Sequence, residues 1–523
     1  MTKSAMVWVL VAFACYLLGM IAIGAAYMRK TKNAGDYFLG GRQVNGLVAA
    51  LSAQASDMSG WLLMGLPGTV YAAGTGNIWI AVGLFIGTVC NWIFISSRLR
   101  RYTIRAGNAL TFPAYLENRF HDKKRILLTI SSVVVVIFFL VYTASALASG
   151  GQLFHSVFGL DYHVSLAIGA AVILLYTFMG GFMAVCTTDF IQGMLMLVGI
   201  LTVPIIALVV VGPSNITSLI GESGISDTSS YMNALQQNGK NISFISMISQ
   251  LGWGLGYFGM PHILVRFMAV KSEKELKKSR ITAIVWVALS LSFACFVGVI
   301  GRAYLFEKGI LLGVDGAPST ENVFIQMIEK IFTLDINVPF IGGIFLCGIL
   351  AAIMSTADSQ LLVTASSVSE DIYKGIINKK ADEKRVMLIS RITVIVVALL
   401  AFIIAWNPKN SIMGLVSNAW AGLGAAFGPI ILLSLFWKRC NLPGAIAGMV
   451  SGGLTVILWD YIPLVKQGGK WITLGIYTDL YSLVIGFAIS IVLIVIVSLA
   501  TKAPDAEILK EFDDVVSGNV ENA

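Results

Sequence analysis

Long apolar blocks dominate this chain. Thirteen stretches run for sixteen or more residues with almost no charge: 5–28, 46–73, 78–97, 126–154, 164–185, 190–212, 242–265, 281–301, 336–367, 392–407, 411–437, 442–459 and 472–501. A bilayer core about 30 Å thick is crossed by roughly 20 helical residues, so blocks of this length are membrane spans. Of the 523 residues, 57% are hydrophobic and 12% charged, and the charged share is roughly half that of a soluble domain. A soluble enzyme, a secreted disulfide scaffold and a disordered chain are thereby excluded. The expected fold class is an all-α polytopic membrane protein with about 13 transmembrane helices. The first block, 5–28, is too long for a signal-peptide core and is read as a retained span.

Thirteen spans place the two ends on opposite faces, and Lys and Arg decide which is inside. With the N-terminus outside, segments 29–45, 98–125, 266–280, 368–391, 438–439 and the tail hold 28 of the 36 basic residues. That asymmetry accounts for the net charge of +8 without invoking nucleic acid. It predicts a multi-pass protein of the cell membrane with a cytoplasmic C-terminus.

Six cysteines are scattered singly and four histidines lack metal-ligand spacing. Neither a phosphate-cradling loop nor a nucleophile elbow nor a zinc motif occurs, so no enzyme is expected.

Two spans are interrupted at matching places. Leu51 to Gly60 sets Ser52, Ser56, Asp57 and Ser59 inside a would-be helix, followed by Pro67-Gly68. Gly252 to Pro261 carries four glycines in eight residues and then a proline. Each opens a set of five spans, 46–212 and 242–437. Paired interruptions point to a transporter site at membrane depth, where freed carbonyls suit a hard cation and helix N-termini suit a carboxylate.

Acids within spans are functional by default. Asp57 lies in the first break, Asp189 is expected in a joint opening the 190–212 span, and Asp358 follows Ser355 and Thr356. Ser355, Asp358 and Ser359 share a helix face. No Lys or Arg partner is expected for Asp189 and Asp358 inside the spans. Trp253 and Tyr257, at i and i+4, are expected to line one wall with Pro261 beyond; Tyr142 stands alone in an apolar span.

The segments Ser52 to Gly68, Asp36 to Arg42, Trp253 to His262, Ala351 to Thr356 and Trp437 to Ala445 resemble motifs of the sodium/solute symporter family, in particular its sodium/proline symporters. The resemblance runs from about Ala5 to Thr501. It implies a five-plus-five inverted-repeat (LeuT-type) fold whose repeats each open with a broken helix. The expected layout is an extra helix at 5–28, repeats at 46–212 and 242–437, two further helices within 438–501 and a cytoplasmic tail at 502–523. It also implies alternating-access import of L-proline with a co-transported sodium ion across the lipid bilayer. By resemblance, sodium takes the carbonyls of Ala55, Met58 and Ala352 and the hydroxyls of Ser355 and Thr356, with the charge of Asp57 nearby. Tyr142, Trp253, Tyr257 and Pro261 resemble substrate-binding residues, and Ser59 and Gly60 affect both ligands. Arg42 resembles a coupling residue. Asp189 matches the inward ion path, and Asp358, an acid the family pattern lacks, suggests with Ser359 a second cation site or ion path.

Alternatives are another small amino acid or a monocarboxylate as substrate, proton in place of sodium, and a membrane sensor built on the same fold.

Overall fold

The computed structural model describes residues 1–28, 34–177, 181–237, 239–314, 318–408 and 411–518. Among the described residues, ten helices are each long and apolar enough to cross a bilayer. Two broken helices and one of 16 residues bring the crossings to thirteen, as expected.

In chain order, α1 is Lys3–Met28 and α2 is split into α2a (Gly46–Asp57) and α2b (Leu66–Ala73). Helix α3 starts at Ile78 and runs through wider turns at Asn91–Ile95 to Arg105; α4 is Ile126–Phe158, α5 Tyr162–Thr177 and α6 Phe182–Val211. The second broken helix comprises α7a (Phe244–Leu251), a 3₁₀ stretch at Gly252–Gly259, and α7b (Pro261–Ala269). Then come α8 (Glu273–Glu307), α9 (Pro339–Ser366, prolonged by wide turns to Ile377), α10 (Glu383–Ala405), α11 (Ile412–Phe436), α12 (Leu442–Tyr461) and α13 (Ser482–Ala500). Two two-stranded antiparallel ribbons, at 236–241 and 463–473, are the only strands among the described residues.

Three boundaries differ from expectation. The joint before α6 falls ahead of Phe182, where Gly181 is extended (φ −102, ψ −171), so Asp189 lies two turns inside the helix. The polar run Thr187-Thr188-Asp189 imitates a loop in sequence. In the helix, the Thr187 and Thr188 hydroxyls donate back to the Met183 and Ala184 carbonyls (2.8 and 3.0 Å), which removes the need for water. Asp479 lies in a left-handed turn (φ 55) before α13 begins, so it is outside the span drawn through it. Arg266, counted with the inside loop 266–280, is 1% exposed and belongs to α7b.

The tail carries α14 (Ala506–Ser517), amphipathic, with Ile508, Phe512 and Val515 buried. Residues 519–523 of the tail lie outside the described residues.

The broken helices meet at the centre. Val44, leading into α2a, pairs with Ala269 and Lys271 at the exit of α7b (3.2 and 2.9 Å), tying both inner ends together. Outer α3 lies against the second break so closely that a Cβ on Gly254 would strike the Gly83 backbone. Glycine is required there because two backbones touch.

Candidate functional site

Helix α2a stops at Asp57 because Met58 leaves helical geometry (φ −89, ψ 80). The Asp57 carbonyl is satisfied locally, by the Ser59 N–H (3.1 Å) and the Trp61 indole N–H (2.9 Å). The chain resumes as a wide turn at Trp61–Gly65. Gly60 packs onto the Ser149 hydroxyl, and any side chain there would collide with it.

Helix α9 passes beneath this break. The Ser355 hydroxyl donates to the Ala55 carbonyl (2.8 Å) and lies 3.2 Å from that of Ala352, while the Thr356 hydroxyl is 3.5 Å from the Ala55 carbonyl. Four of the five expected oxygens are therefore neighbours. Met58 is the breaking residue itself, with its sulfur accepting from the Ser290 hydroxyl (3.4 Å). Hydroxyls that share one carbonyl can rotate and turn their lone pairs to a cation instead. Asp57 is 1% exposed; one carboxylate oxygen accepts from the Tyr257 hydroxyl (2.6 Å) and the other has no hydrogen-bond partner among the described residues. Buried neutral oxygens beside an uncommitted carboxylate oxygen fit a small hard cation.

The second break changes the expected wall. At 3.0 residues per turn, positions i and i+4 diverge by about 120°, not the roughly 40° of an α-helix. Trp253 accordingly turns outward and stacks on Tyr481 (5.1 Å, 21°), whereas Tyr257 turns inward to Asp57 with its ring edge-on to Trp420 (5.1 Å, 85°). The Trp420 indole N–H donates to the Trp253 carbonyl (2.8 Å) and the Asn91 amide to that of Tyr257 (3.0 Å). Pro261 starts α7b, where its missing N–H costs nothing. Tyr142, fully buried on α4, brings its hydroxyl beside Asp57, Ser59 and Trp61. Above Trp253 an outer cavity of about 320 Å³ is lined by Gln250, Ser417, Asp460, Asp479 and Tyr481.

One turn further in along α2a and α9 lies a second polar cluster. Asp189 accepts from the Ser52 and Ser56 hydroxyls (2.6 and 3.0 Å), and Ser56 touches Ser359 (2.9 Å), which donates to Asp358 (3.2 Å). At its centre sits the Arg266 guanidinium. It reaches Ser52 (3.1 Å), Ser56 (2.7 Å), Ser359 (2.6 Å), Asp189 (3.2 Å) and the His262 carbonyl (2.6 Å). Both members of the Arg266–Asp189 pair are buried. The expectation that Asp189 lacks a basic partner inside the spans is thus corrected. Arg266 looked like loop charge because it ends α7b, which is tucked inside the molecule. Its spacing of four from His262, another buried residue, was the available signal; the His262 ring stands edge-on to Phe139 (5.4 Å, 71°) and Tyr142 (6.0 Å, 89°).

Arg42, on the same face as the start of α2a and the end of α7b, grips three segments: Asn108 (2.8 Å), Thr103 (3.2 Å), and the carbonyls of Met268 (2.6 Å) and Ala109 (2.9 Å). Burial, with the neighbouring Arg100 charge adding to it, lowers its pKa to about 10. At the opposite end of the helices, Glu321 accepts from the Ile412 and Met413 N–H groups that begin α11 (3.1 and 3.0 Å), a contact with no sequence signal.

The model of the sodium:solute symporter family matches residues 37–452. The chain belongs to that family. It is 44% identical over 504 residues to the sodium/proline symporter of Escherichia coli (strain K12), covering 96% of this chain and 95% of that one. It is 42% identical over 499 residues to the high-affinity proline transporter PutP of Bacillus subtilis (strain 168), covering 95% and 98%. Among solved structures, a Na+-coupled sialic acid symporter in a substrate-bound outward-open state superposes with a TM-score of 0.76 at 21% identity, covering 95% of this chain and 99% of that one. MhsT in complex with L-phenylalanine gives a TM-score of 0.52 at 15% identity, covering 88% and 99%. The five-plus-five inverted-repeat fold is shared, and membership of this family makes the chain a multi-pass membrane transporter.

Proposed function

We propose that this protein imports L-proline together with sodium by alternating access, with the N-terminus outside and the C-terminus in the cytoplasm. The observation that carries this reading is the meeting of the Ser355 and Thr356 hydroxyls with the Ala55 and Ala352 carbonyls beside the half-committed Asp57. In this reading sodium is held by Ala55, Met58, Ala352, Ser355 and Thr356, with Asp57 supplying negative charge. Proline lies between the breaks, against Tyr142, Tyr257 and Pro261, with Ser59 and Gly60 lining the floor and Trp253 the outer rim. Residues 46–212 and 242–437 act as the two moving repeats, flanked by α1 at one end and α12 and α13 at the other.

Asp57 ties the two ligands together. Its carboxylate is hydrogen-bonded to Tyr257, so sodium drawing on its other oxygen alters the same side chain that faces the substrate. Coupling of this kind is reciprocal. Asp189, Asp358 and Ser359 form the inward ion path, with Arg266 as its standing counter-charge, and Arg42 holds the inner ends of α2a and α7b in register.

The test is proline uptake into vesicles of purified protein, with sodium and proton gradients imposed separately. Accumulation driven by sodium alone is the expected result. Accumulation driven by a proton gradient in sodium-free medium would sink the sodium assignment.

A further inference from the structure

Helix α9 carries a polar line of which the sites above use only the first residue. Thr356, Gln360, Ser367 and Asp371 recur at spacings of four, seven and four. With about 100° per residue, and slightly less in the wide turns from Ser367, all four fall within roughly 40° of one line. All four are buried: Thr356, Gln360 and Ser367 are 0% exposed and Asp371 4%. The side-chain oxygen and nitrogen of Gln360, the Ser367 hydroxyl and one Asp371 oxygen have no hydrogen-bond partner among the described residues. Unpaired buried polar atoms are costly, and three successive ones on one face call for an occupant.

The line starts at a proposed sodium ligand and ends at an acid. The second Asp371 oxygen accepts from the Thr111 hydroxyl (2.6 Å), and Thr111 also caps the helix Phe112–Arg119. Neighbouring charges are already committed elsewhere. Glu370 pairs with Lys374 (3.1 Å) and Glu117 with Arg125 (3.0 Å), and among the described residues Asp371 has no ion-pair partner. This contrasts with Asp189, whose guanidinium partner is built in.

We propose that Asp371, Ser367 and Thr111 form an inner station for the outgoing monovalent cation, reached from Ser355 and Thr356 along the Gln360 face of α9. The proposal rests on the sodium-import reading above. The wide turns that start at Ser367 keep Ser367 and Asp371 on nearly the same line of the helix. The carboxylate offers the next attractive stop for an ion leaving the oxygen cage, and lies where α9 reaches the inner surface.

The experiment loads right-side-out vesicles with rising internal sodium and measures initial proline uptake at fixed external sodium. Internal sodium is expected to slow the unmodified protein by rebinding. Asp371→Asn is expected to raise the half-inhibiting internal sodium concentration by about tenfold. The external sodium dependence of proline binding should stay within about twofold, and Asp371→Glu should restore most of the internal response. Unchanged internal inhibition in Asp371→Asn would overturn the proposal, leaving Asp371 only as the acceptor that fixes the capping Thr111. Should that variant fail to reach the membrane, the hydroxyl variants Thr111→Val and Ser367→Ala decide: a rise of about threefold supports the station, and wild-type behaviour in both overturns it. If the unmodified protein shows no sodium-driven uptake at all, the sodium reading itself fails, and the station falls with it.

Discussion

The oxygen cage around Ala55, Ser355 and Thr356 and the cluster around Arg266, one turn further in, use the same helices and the same residue types. They differ in one respect. The acid of the cage, Asp57, bonds Tyr257 and has no ion-pair partner among the described residues. The cluster has two acids and a guanidinium that bonds three serines and one Asp189 oxygen, and the other Asp189 oxygen, like that of Asp57, has no hydrogen-bond partner among the described residues. A site for a transported ion must leave negative charge uncompensated until the ion arrives. A site with a resident counter-charge is self-sufficient, and suits a closed inner half that holds α2a, α6, α7b and α9 together.

The largest expected effect comes from Arg266→Met. It leaves Asp189 buried and unpaired, at a cost of about 3–5 kcal/mol. Thermal unfolding of the purified protein should show a large loss of stability, and Arg266→Met with Asp189→Asn should recover part of it. An unaltered melting temperature in the single variant would mean the guanidinium is not the resident charge.

Asp57→Asn keeps the shape of the cage but removes its charge. A loss of about hundredfold in sodium affinity, about 3 kcal/mol, is expected, with proline affinity falling and high sodium partly restoring it. The check is proline binding titrated against sodium; the same titration curve as the unmodified protein would merge the two clusters into one structural class.

Tyr257→Phe and Trp253→Ala separate the two walls. Removing the Tyr257 hydroxyl deletes a hydrogen bond to a buried carboxylate, worth about 1.5–3 kcal/mol, and should weaken both sodium and proline. Trp253→Ala should weaken proline by about tenfold and leave sodium within about twofold, because its ring stacks outward on Tyr481. Equal effects of both variants on sodium would place the two rings on one wall after all.

The smallest effect belongs to the hydroxyls. Ser355→Ala or Thr356→Ala removes one proposed neutral ligand that water can partly replace, so sodium affinity should fall by about tenfold or less. Either variant outranking Asp57→Asn in the sodium titration would make the hydroxyls, not the charge, the core of the cage.

Much of this was legible from residues in order. The block lengths gave thirteen crossings, the Gly, Pro and acid placements marked both breaks, and the Ser355–Thr356 pair pointed at the cage. Errors clustered where polar residues looked like loops. Thr187 to Asp189 read as a joint because hydroxyls that bond back into their own helix are indistinguishable in sequence from hydroxyls that need water. The 3₁₀ winding of Gly252–Gly259 was equally hidden: glycine permits many backbone conformations, and neighbouring α3 and α11 select this one.

By itself, then, the sequence determined that the chain lives in a bilayer, how often it crosses, and where two of its helices must fail. Those properties follow from local hydropathy and local backbone preference, which need no partner. Tertiary structure alone decided which charges are permanent and which are open. Arg266 and Asp189 lie 77 positions apart and Ser355 lies 300 from Ala55. Whether a buried acid finds a guanidinium, a tyrosine hydroxyl or nothing depends on which helices the fold brings within about 3 Å of it, and no pattern along the chain carries that distance.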